Sequence, residues 1–374
     1  MADSVSTAGG GVGAATSAVA IPSFKGRPGW EFTDLSALNV DDYQLLDPVH
    51  PLVTSGRLPG AEAEVEAGAL WSAPAASELP AGVTVTQQAD GTTLIEIARG
   101  TLVTEPLHLT TLQSQAGTIL NQSVRVIVEQ GADVEIWEQY YSADPELDAI
   151  FNARTELLVR DGARLRYVSG QALSERSWIF GSQRAEVGRS AVLDWIALGF
   201  GSRSGHVLMN TRLTGEGSEA RVTGAYATHG RQHIDFDTTQ EHAAAHTNSD
   251  LAFRGVLQDR SSAVWKGNII VDPGAQKTDA FQDSRNLLIS KKAHADSIPG
   301  LEIEANDVRC THAAAVAQVD PEQLYYLMTR GIPEAEAKQL VIEGFLAALV
   351  ERFEAGPVRE LLGAVLERRL AAIL

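Results

Sequence analysis

The chain has little of what a disulfide-stabilised, cluster-carrying or nucleic-acid-binding protein needs. Its 374 residues include one cysteine, Cys310, which excludes an internal disulfide framework and a complete four-thiolate cluster site. Its 30 basic and 48 acidic side chains give a net charge of −18, which opposes the phosphate contacts on which nucleic-acid affinity depends. We therefore expect no nucleic-acid partner and no binding to an anionic membrane.

Long apolar runs are also absent. Hydrophobic residues make up 44% of the chain, but no uninterrupted stretch approaches the ~20 residues that a transmembrane helix needs. Residues 1–20 are rich in Ala, Gly, Ser and Thr, contain no Lys or Arg, and lack the compact apolar segment of a signal peptide. The sequence therefore predicts a soluble, cytoplasmic protein in which residues 1–20 form a disordered tail.

The pattern of residues divides the rest of the chain. Proline and glycine punctuate residues 21–82, as in Pro59-Gly60, and we predict a small, partly helical N-terminal region there. Residues 83–318 form short runs of β-branched and apolar residues, often alternating, as at 124–128. Because no stretch in this region has the pattern of a crossover helix, the sequence predicts an all-β core.

A loose turn element recurs inside the predicted core. Gly131, Gly162, Gly188 and Gly217 lie 31, 26 and 29 residues apart, and Gly274 belongs to a further turn of this kind. Such a quasi-period is consistent with a coiled β-solenoid, although a β-sandwich with regular turns would also show it. The spacing alone leaves both folds open.

Residues 319–374 predict a helical module. Asp320 can cap a first helix with Pro321 at its first position, and Gly331 can end that helix. A second helix over 334–353 and a third after it follow the apolar period of an amphipathic helix. The residues predicted to face inward are Leu340, Val341 and Leu349 in the second helix and Leu361, Leu362, Val365, Leu366 and Leu370 in the third.

Two glycine-rich stretches suggest nucleotide binding, but neither has the full pattern of a nucleotide-binding motif. Residues 9–13 precede no strand-to-helix turn, and residues 274–278 lack the glycine before Lys277 that lets a P-loop wrap phosphate. No nucleophile elbow and no pair of carboxylates at a recognisable catalytic spacing stand out. The residues by themselves give no support for an enzyme.

Two histidines, His242 and His246, have a spacing that would converge on zinc if they lay on a helix. The flanking residues predict strands instead. In a strand, positions four apart are roughly 13 Å apart and cannot bind one ion. We therefore interpret both side chains as solvated or hydrogen-bonded.

The segment that ends in Cys310 and His312 carries the most distinctive chemistry. If it is extended, both side chains point to one face while Thr311 points away. A thiolate and an imidazole suit iron or another soft to borderline metal, and two ligands are half a site that a partner can complete. The alternative is that Cys310 is a small core residue.

A series of ordered stretches resembles one known family, the SufB/SufD family of iron–sulfur cluster assembly proteins. The stretches are 29–35, 231–235, 241–247, 273–280, 282–290, 299–303, 307–313, 318–320, 323–327 and 330–332. They span nearly the whole chain after the tail. The resemblance implies an all-β core in the form of a right-handed parallel β-helix, with small N-terminal and C-terminal α-helical regions.

The resemblance also implies a function and partners. The chain is expected to be a non-catalytic scaffold subunit that pairs with the homologous SufB, and its residues 319–374 are expected to dock the ATPase SufC. Without these partners it is expected to be able to form a homodimer. No cofactor is expected to be bound tightly by the chain alone.

The resemblance assigns His312 and Cys310 to positions beside the nascent cluster, as ligands to transient iron or an iron–sulfur cluster shared with SufB. SufB-like chains carry a cysteine in the segment equivalent to 282–290, and this chain has none there, which favours a SufD-type subunit. Three alternatives stay open: a purely structural subunit without a metal role, a SufB-like paralogue, and an unrelated β-solenoid enzyme acting on an acidic or carbohydrate substrate.

Overall fold

The computed structural model describes residues 30–75, 78–353 and 355–371. The predicted tail at 1–20 and the glycines at 9–13 lie outside these residues. Sheet A contains β1 (Gln44–Leu45), β3 (Val83–Gln87), β4 (Thr92–Ile97), β6 (Thr118–Val128), β8 (Ile150–Val159), β10 (Trp178–Val187), β12 (Ser204–Leu213), β14 (His233–His242), β16 (Ser262–Val271) and β18 (His294–Ile303). Sheet B contains β2 (Leu52–Ser55), β5 (Leu107–Gln113), β7 (Asp133–Ser142), β9 (Arg164–Ala172), β11 (Val192–Gly199), β13 (Glu219–Thr228), β15 (Asn248–Leu257), β17 (Asp279–Leu288) and β19 (Arg309–Gln318).

The chain winds from sheet A to sheet B and back, so each strand pairs with the strand one coil later in the sequence. From β4 and β5 onward all of these pairings are parallel and in register, as in the series Ile150, Trp178 and Ser204 on β8, β10 and β12. This topology confirms the predicted parallel β-helix. The sandwich left open by the turn spacing is excluded by the parallel order.

The interior of the β-helix is filled by alternate residues of every strand. On β9, Leu165 and Tyr167 are buried inside while Arg164 is exposed, which is the period-2 pattern of a sheet with one face in the core. The largest interior side chains include Trp195 and Trp265, both fully buried. This single interior cluster runs through most coils and gives the molecule its main core.

The predicted quasi-period corresponds to one coil of the β-helix. Gly131, Gly162 and Gly217 occupy equivalent turns between a sheet A strand and the next sheet B strand, with φ of 69°, 65° and 71°. Glycine is favoured there because a side chain with a Cβ is strained at positive φ. We call this series of turns the glycine turns, and the series on the opposite edge, from sheet B to sheet A, the return turns.

The N-terminal region lies along the outside of the β-helix. Among the described residues before 83, its helical part is a single 3-10 turn, Val40–Asp42, and β1 and β2 pair with β6 and β5. Frequent proline and glycine explain why no longer helix forms there. Leu35 and its neighbours cover Ile150 and Trp178 on the outer face of sheet A.

Three C-terminal helices follow β19, as predicted: α1 (Pro321–Thr329), α2 (Glu334–Val350) and α3 (Pro357–Ala371). The Asp320 carboxylate accepts a hydrogen bond from Glu322 N at 2.9 Å and caps α1. Helices α2 and α3 pack on the outer face of sheet B, where Ile342 and Leu346 join the same apolar cluster as Val168 and Ile196.

The inward positions of α3 were predicted correctly, but one prediction for α2 is wrong. Leu361, Leu362, Val365, Leu366 and Leu370 are all buried, whereas Leu340 is 43% exposed. The face of α2 that packs on sheet B is formed instead by Ile342, Leu346 and Leu349, because α2 is apolar around much of its circumference. In the part of the chain that the structure describes, no helix is long and apolar enough to cross a membrane.

Candidate functional site

Cys310 and His312 lie on β19, the last strand of sheet B. The strand is extended, and its pairing with β17 places Cys310 beside Ala280 and His312 beside Gln282. Ala280 and Gln282 are buried inside the β-helix. Because residues in register share a face of a sheet, Cys310 and His312 point to the same inner side, as the sequence predicted for an extended segment.

Within residues 30–75, 78–353 and 355–371, no further coil covers these two side chains. His312 is exposed and Cys310 is half-buried. Cys310 packs against a small apolar cluster that includes Ile269, Ala280 and Ala305. One side of the site is therefore closed by the protein and the other side is open.

The coil beneath the open site contains polar side chains. Gln282 Nε2 donates to the carbonyl oxygens of Gly267 and Gly300, at 3.4 and 3.2 Å. Asn286 Nδ2 donates to Ser297 Oγ at 3.1 Å. Gln282 Oε1 is buried on the side of Gly267 and has no hydrogen-bond partner among the described residues, so it lies below the open surface of the site.

The environment of Cys310 keeps its thiol protonated. Partial burial raises the pKa of Cys310, and the negative charge of Asp279 raises it further. Asp279 also forms an ion pair with Arg309. Because the thiolate is the form that binds metal, a metal at Cys310 must displace a proton.

The described residues contain no group of three or more His, Cys, Asp or Glu side chains arranged to hold a metal ion. Cys310 and His312 are two potential ligands on one strand, with Cα atoms roughly 6.6 Å apart. Iron–sulfur clusters commonly take four protein ligands. These two side chains alone are therefore too few to hold a cluster, and further ligands would have to complete such a site.

The other predicted motifs have structural explanations. His242 is buried at the end of β14, with Nδ1 2.7 Å from Thr247 Oγ1 and Nε2 2.8 Å from Ser249 Oγ, and burial lowers its pKa to about 4. His246 lies on the following turn with φ of 57° and is exposed. Residues 274–278 form a glycine turn followed by a strand, not a phosphate-binding helix.

Sequence reasoning missed a carboxyl group inside the β-helix. Glu138 is 1% exposed and accepts hydrogen bonds from Gln122 Nε2 and Tyr167 Oη, both at 2.7 Å. Burial raises its pKa to about 7. The alternation of β7 could have placed Glu138 inside, because Val134, Ile136 and Glu138 share one face.

Sequence reasoning also missed where residues 30–35, the described part of the N-terminal stretch 29–35, dock. Thr33 Oγ1 donates to Asp235 Oδ2 at 2.6 Å, and Asp235 lies 2.9 Å from His206 Nδ1. The Trp30 ring lies 4.1 Å from the His206 ring. The stretch was part of the family resemblance. Its contacts with β12 and β14 join residues far apart in the sequence, so no local sequence pattern predicts them.

Comparisons with known proteins agree with this architecture. Residues 110–345 match the family model described as SUF system FeS cluster assembly, SufBD core domain. An iron–sulfur cluster assembly SufBD family protein of Mycobacterium tuberculosis is 32% identical over 286 residues, which cover 74% of this chain and 71% of that protein.

Two relatives carry the name iron–sulfur cluster assembly protein SufD. That of Bacillus subtilis is 33% identical over 283 residues, 75% of this chain and 64% of its own length. That of Escherichia coli is 30% identical over 269 residues, 70% of this chain and 63% of its own length. The chain belongs to the SufB/SufD family of iron–sulfur cluster assembly proteins.

Proposed function

We propose that this chain is a SufD-type scaffold subunit that pairs with SufB through its last coil and docks the ATPase SufC through its C-terminal helices. In this assembly His312 and Cys310 contribute to the site where iron or a nascent cluster is held. The chain performs no catalysis alone and works in the cytoplasm. The proposal rests on family membership together with the open last coil.

The open last coil is the observation that carries the proposal. Strands β18 and β19 each pair on one side only. Large apolar side chains at this end remain exposed, including Ile303, Val316 and Phe281, at 41%, 42% and 38%. An unpaired strand edge next to exposed apolar side chains favours association with another chain.

The backbone geometry distinguishes the two open strands. Arg309 N donates to Thr278 O and Val319 N donates to Leu288 O, so both point toward β17. Because N–H directions alternate along a strand, the N–H groups of the even-numbered residues 310–318 point to the open side of β19. On β18, His294 N and Glu304 N donate toward β16, so the odd-numbered residues point outward. Pro299 is one of these, and it removes an outward donor from β18.

The edge of β19 carries no such protection. Its outward donors include those of Cys310 and His312, and the small side chains of Ala313, Ala314 and Ala315 let another backbone approach closely. A strand of SufB that covers β19 would bring its own ligands next to the two side chains. It would also bury Cys310 further, so that its thiolate would form there only with a bound cation to balance the charge.

The C-terminal helices support the second docking role. Helix α1 has no buried residue, and Tyr325, Tyr326 and Met328 are exposed at 70%, 57% and 43%. Aromatic and methionine side chains are enriched in protein interfaces. We propose that this exposed face, together with Leu340 on α2, receives SufC.

The test is co-expression of the chain with SufB and SufC, followed by affinity purification and measurement of iron and sulfide in the complex. The variants are Cys310→Ala and His312→Ala, with Thr311→Ala as the matched control because Thr311 lies between them and points to the opposite face. We expect all variants to recover the complex. Iron should fall severalfold for the first two variants and stay unchanged for the control.

Two proline variants test the pairing surface. Ala314→Pro removes an N–H that points to the open side of β19, whereas Ala315→Pro removes one that bonds to β17. We expect Ala314→Pro to fold normally and to lose SufB, since proline is tolerated at a free strand edge. Recovery of normal complex by Ala314→Pro would contradict pairing through β19.

The results separate the proposal from its alternatives. A purely structural subunit predicts normal iron in Cys310→Ala and His312→Ala, with the complex intact. A SufB-like paralogue predicts a stable complex with SufC and a SufD partner in place of SufB. A homodimer of the chain alone, if it forms through β19, should be lost in Ala314→Pro as well.

A further inference from the structure

Three successive return turns stack at the C-terminal end of the β-helix. They are Gly230-Arg231, Asp259-Arg260 and Ser290-Lys291-Lys292, and we call them the basic turns. Gly230 N donates to Asp259 Oδ2 and Arg260 N donates to Gly230 O, both at 3.0 Å. Ser290 Oγ donates to the carbonyl oxygen of Asp259. These bonds hold the turns at the fixed spacing of neighbouring strands, roughly 4.8 Å.

The four cations of the basic turns, Arg231, Arg260, Lys291 and Lys292, are exposed. In the described part of the chain, none of them lies within ion-pair distance of a carboxylate. The one carboxylate among them, Asp259, accepts a backbone hydrogen bond. Four unpaired positive charges thus cluster on a chain whose net charge is −18.

Cations near the glycine turns of the same C-terminal coils behave differently. Arg212 pairs with Glu241, Lys277 with Asp307 and Arg309 with Asp279. Those pairs neutralise the surface locally. The basic turns therefore differ from the opposite edge of the same β-helix in charge, although both edges have the same backbone architecture.

The basic turns surround a depression of about 540 Å³ that is lined by the four cations together with Gly230, Asp259 and Ser290. A second depression, of about 370 Å³, lies beside it, between Gln258 and Ile289 of the same turns and the first residues of α2. Lys338 of α2 lines this second depression. The basic turns therefore border the start of α2, where Lys338 forms an ion pair with Glu334 at 2.7 Å.

The shape and charge of this surface fit a protein partner with an acidic face. An open depression with a charged lining lacks the apolar enclosure of a small-molecule pocket. Complementary charge between two protein surfaces accelerates their encounter and fixes their relative orientation.

We propose that the basic turns receive an acidic patch of the same subunit that docks on α1 and α2, so that one partner contacts the β-helix and the helices together. This inference rests on the proposed docking role of the helices. Beyond that role, we infer that the partner's contact surface is acidic and that the partner touches the basic turns of the β-helix. The aromatic face of α1 supplies buried contact area, and the basic turns steer the approach.

The experiment measures association of purified SufC with the full chain by stopped flow or surface plasmon resonance, at low ionic strength and in about 1 M salt, where the Debye length is ~3 Å. The variant is Lys291→Glu with Lys292→Glu. The matched control is Arg99→Glu with Arg160→Glu, which changes the charge equally at exposed arginines of the glycine turns. We expect the lysine variant to associate about tenfold more slowly at low salt, with no difference at high salt and no change for the control.

The outcomes distinguish this inference from the function on which it rests. Equal association rates for the lysine variant and the wild type would overturn the role of the basic turns. If the double variant Tyr325→Ala with Tyr326→Ala still abolishes SufC binding in that case, SufC docks on the helices without a contribution from the basic turns. Absence of any SufC binding by the wild type would overturn both.

Discussion

The same inward positions have opposite environments in the next-to-last coil of the β-helix and in its last coil. Gln282 is fully buried and its register partner His312 is exposed, and buried Trp265 is followed by half-buried Ser297. The strands are all ten residues long, and each runs in register with the strand one coil earlier. The inward side chains of one coil are therefore buried by the next coil, which the last coil of the described chain does not have. We propose that another chain supplies it.

The largest expected effect compares two apolar interior positions. Trp265→Ala removes a fully buried ring and should lower the free energy of unfolding by about 3–5 kcal/mol. Val316→Ala, at an inward position of the last coil, should cost less than about 1 kcal/mol because Val316 is already 42% exposed. Urea denaturation of the isolated chain measures both. Similar losses for the two variants would contradict the comparison.

A buried carboxyl group on β7 makes the N-terminal coils sensitive to pH. The pKa of Glu138 is raised to about 7 from an ordinary 4.5, so its favourable contribution is fully present below pH 4.5 and is lost as pH rises through 7. The loss amounts to about 3 kcal/mol. Glu138→Gln should remove this dependence and stabilise the protein at pH 8.5.

The last coil provides the control for Glu138. Val316→Glu places a carboxyl group at an inward but open position, where water solvates the charge. Unfolding of Val316→Glu should depend on pH between 6 and 8.5 as the wild type does. An additional loss of stability with rising pH, comparable with that from Glu138, would show that the last coil is closed without a partner.

A buried imidazole gives the opposite pH dependence. Burial lowers the pKa of His242 to about 4 from 6.5, so its contribution is fully present above pH 6.5 and is lost as pH falls through 4, by roughly 3 kcal/mol at most. His242→Gln should flatten the acid limb of the stability curve. In an NMR titration the His242 ring should stay neutral at pH 5, and a protonated ring at that pH would contradict its burial.

The smallest expected effect concerns the reactivity of Cys310. Asp279 adds to the rise in the Cys310 pKa, so Asp279→Asn should increase the thiolate fraction and speed alkylation by iodoacetamide about two- to threefold at pH 8. The control is Asp307→Asn, which removes a carboxylate paired with Lys277 instead. Equal acceleration by both variants would point to a general charge effect.

Much of the fold could be predicted because its signals are local. Alternating apolar residues, the spacing of Gly131, Gly162 and Gly217, and the Asp320-Pro321 start of α1 each reflect backbone requirements of a few neighbouring residues. The coiled arrangement itself needed the family resemblance, since the turn spacing also suited a sandwich. Residues 21–82 were harder because their conformation depends on contacts across the chain, such as Thr33 with Asp235.

The candidate site could be predicted only in part. The same-face geometry of Cys310 and His312 follows from the alternation of any strand, and the structure places both on β19. The position of β19 at the open end of the β-helix depends on the number of coils. No local sequence pattern predicts that number. The polar groups beneath it, including Gln282 and Asn286, come from other strands and have no spacing signal. Metal binding by the pair stays a prediction.

Hydrogen exchange of the β19 amides, measured in the isolated chain at low concentration and in the purified complex, tests whether a partner covers the last coil. The outward amides of Cys310, His312, Ala314 and Val316 should exchange rapidly in the isolated chain and become strongly protected in the complex. The amides of Thr311, Ala313 and Ala315, which face β17, should change much less. Unchanged exchange at all of these positions on complex formation would contradict the claim that a partner completes the last coil.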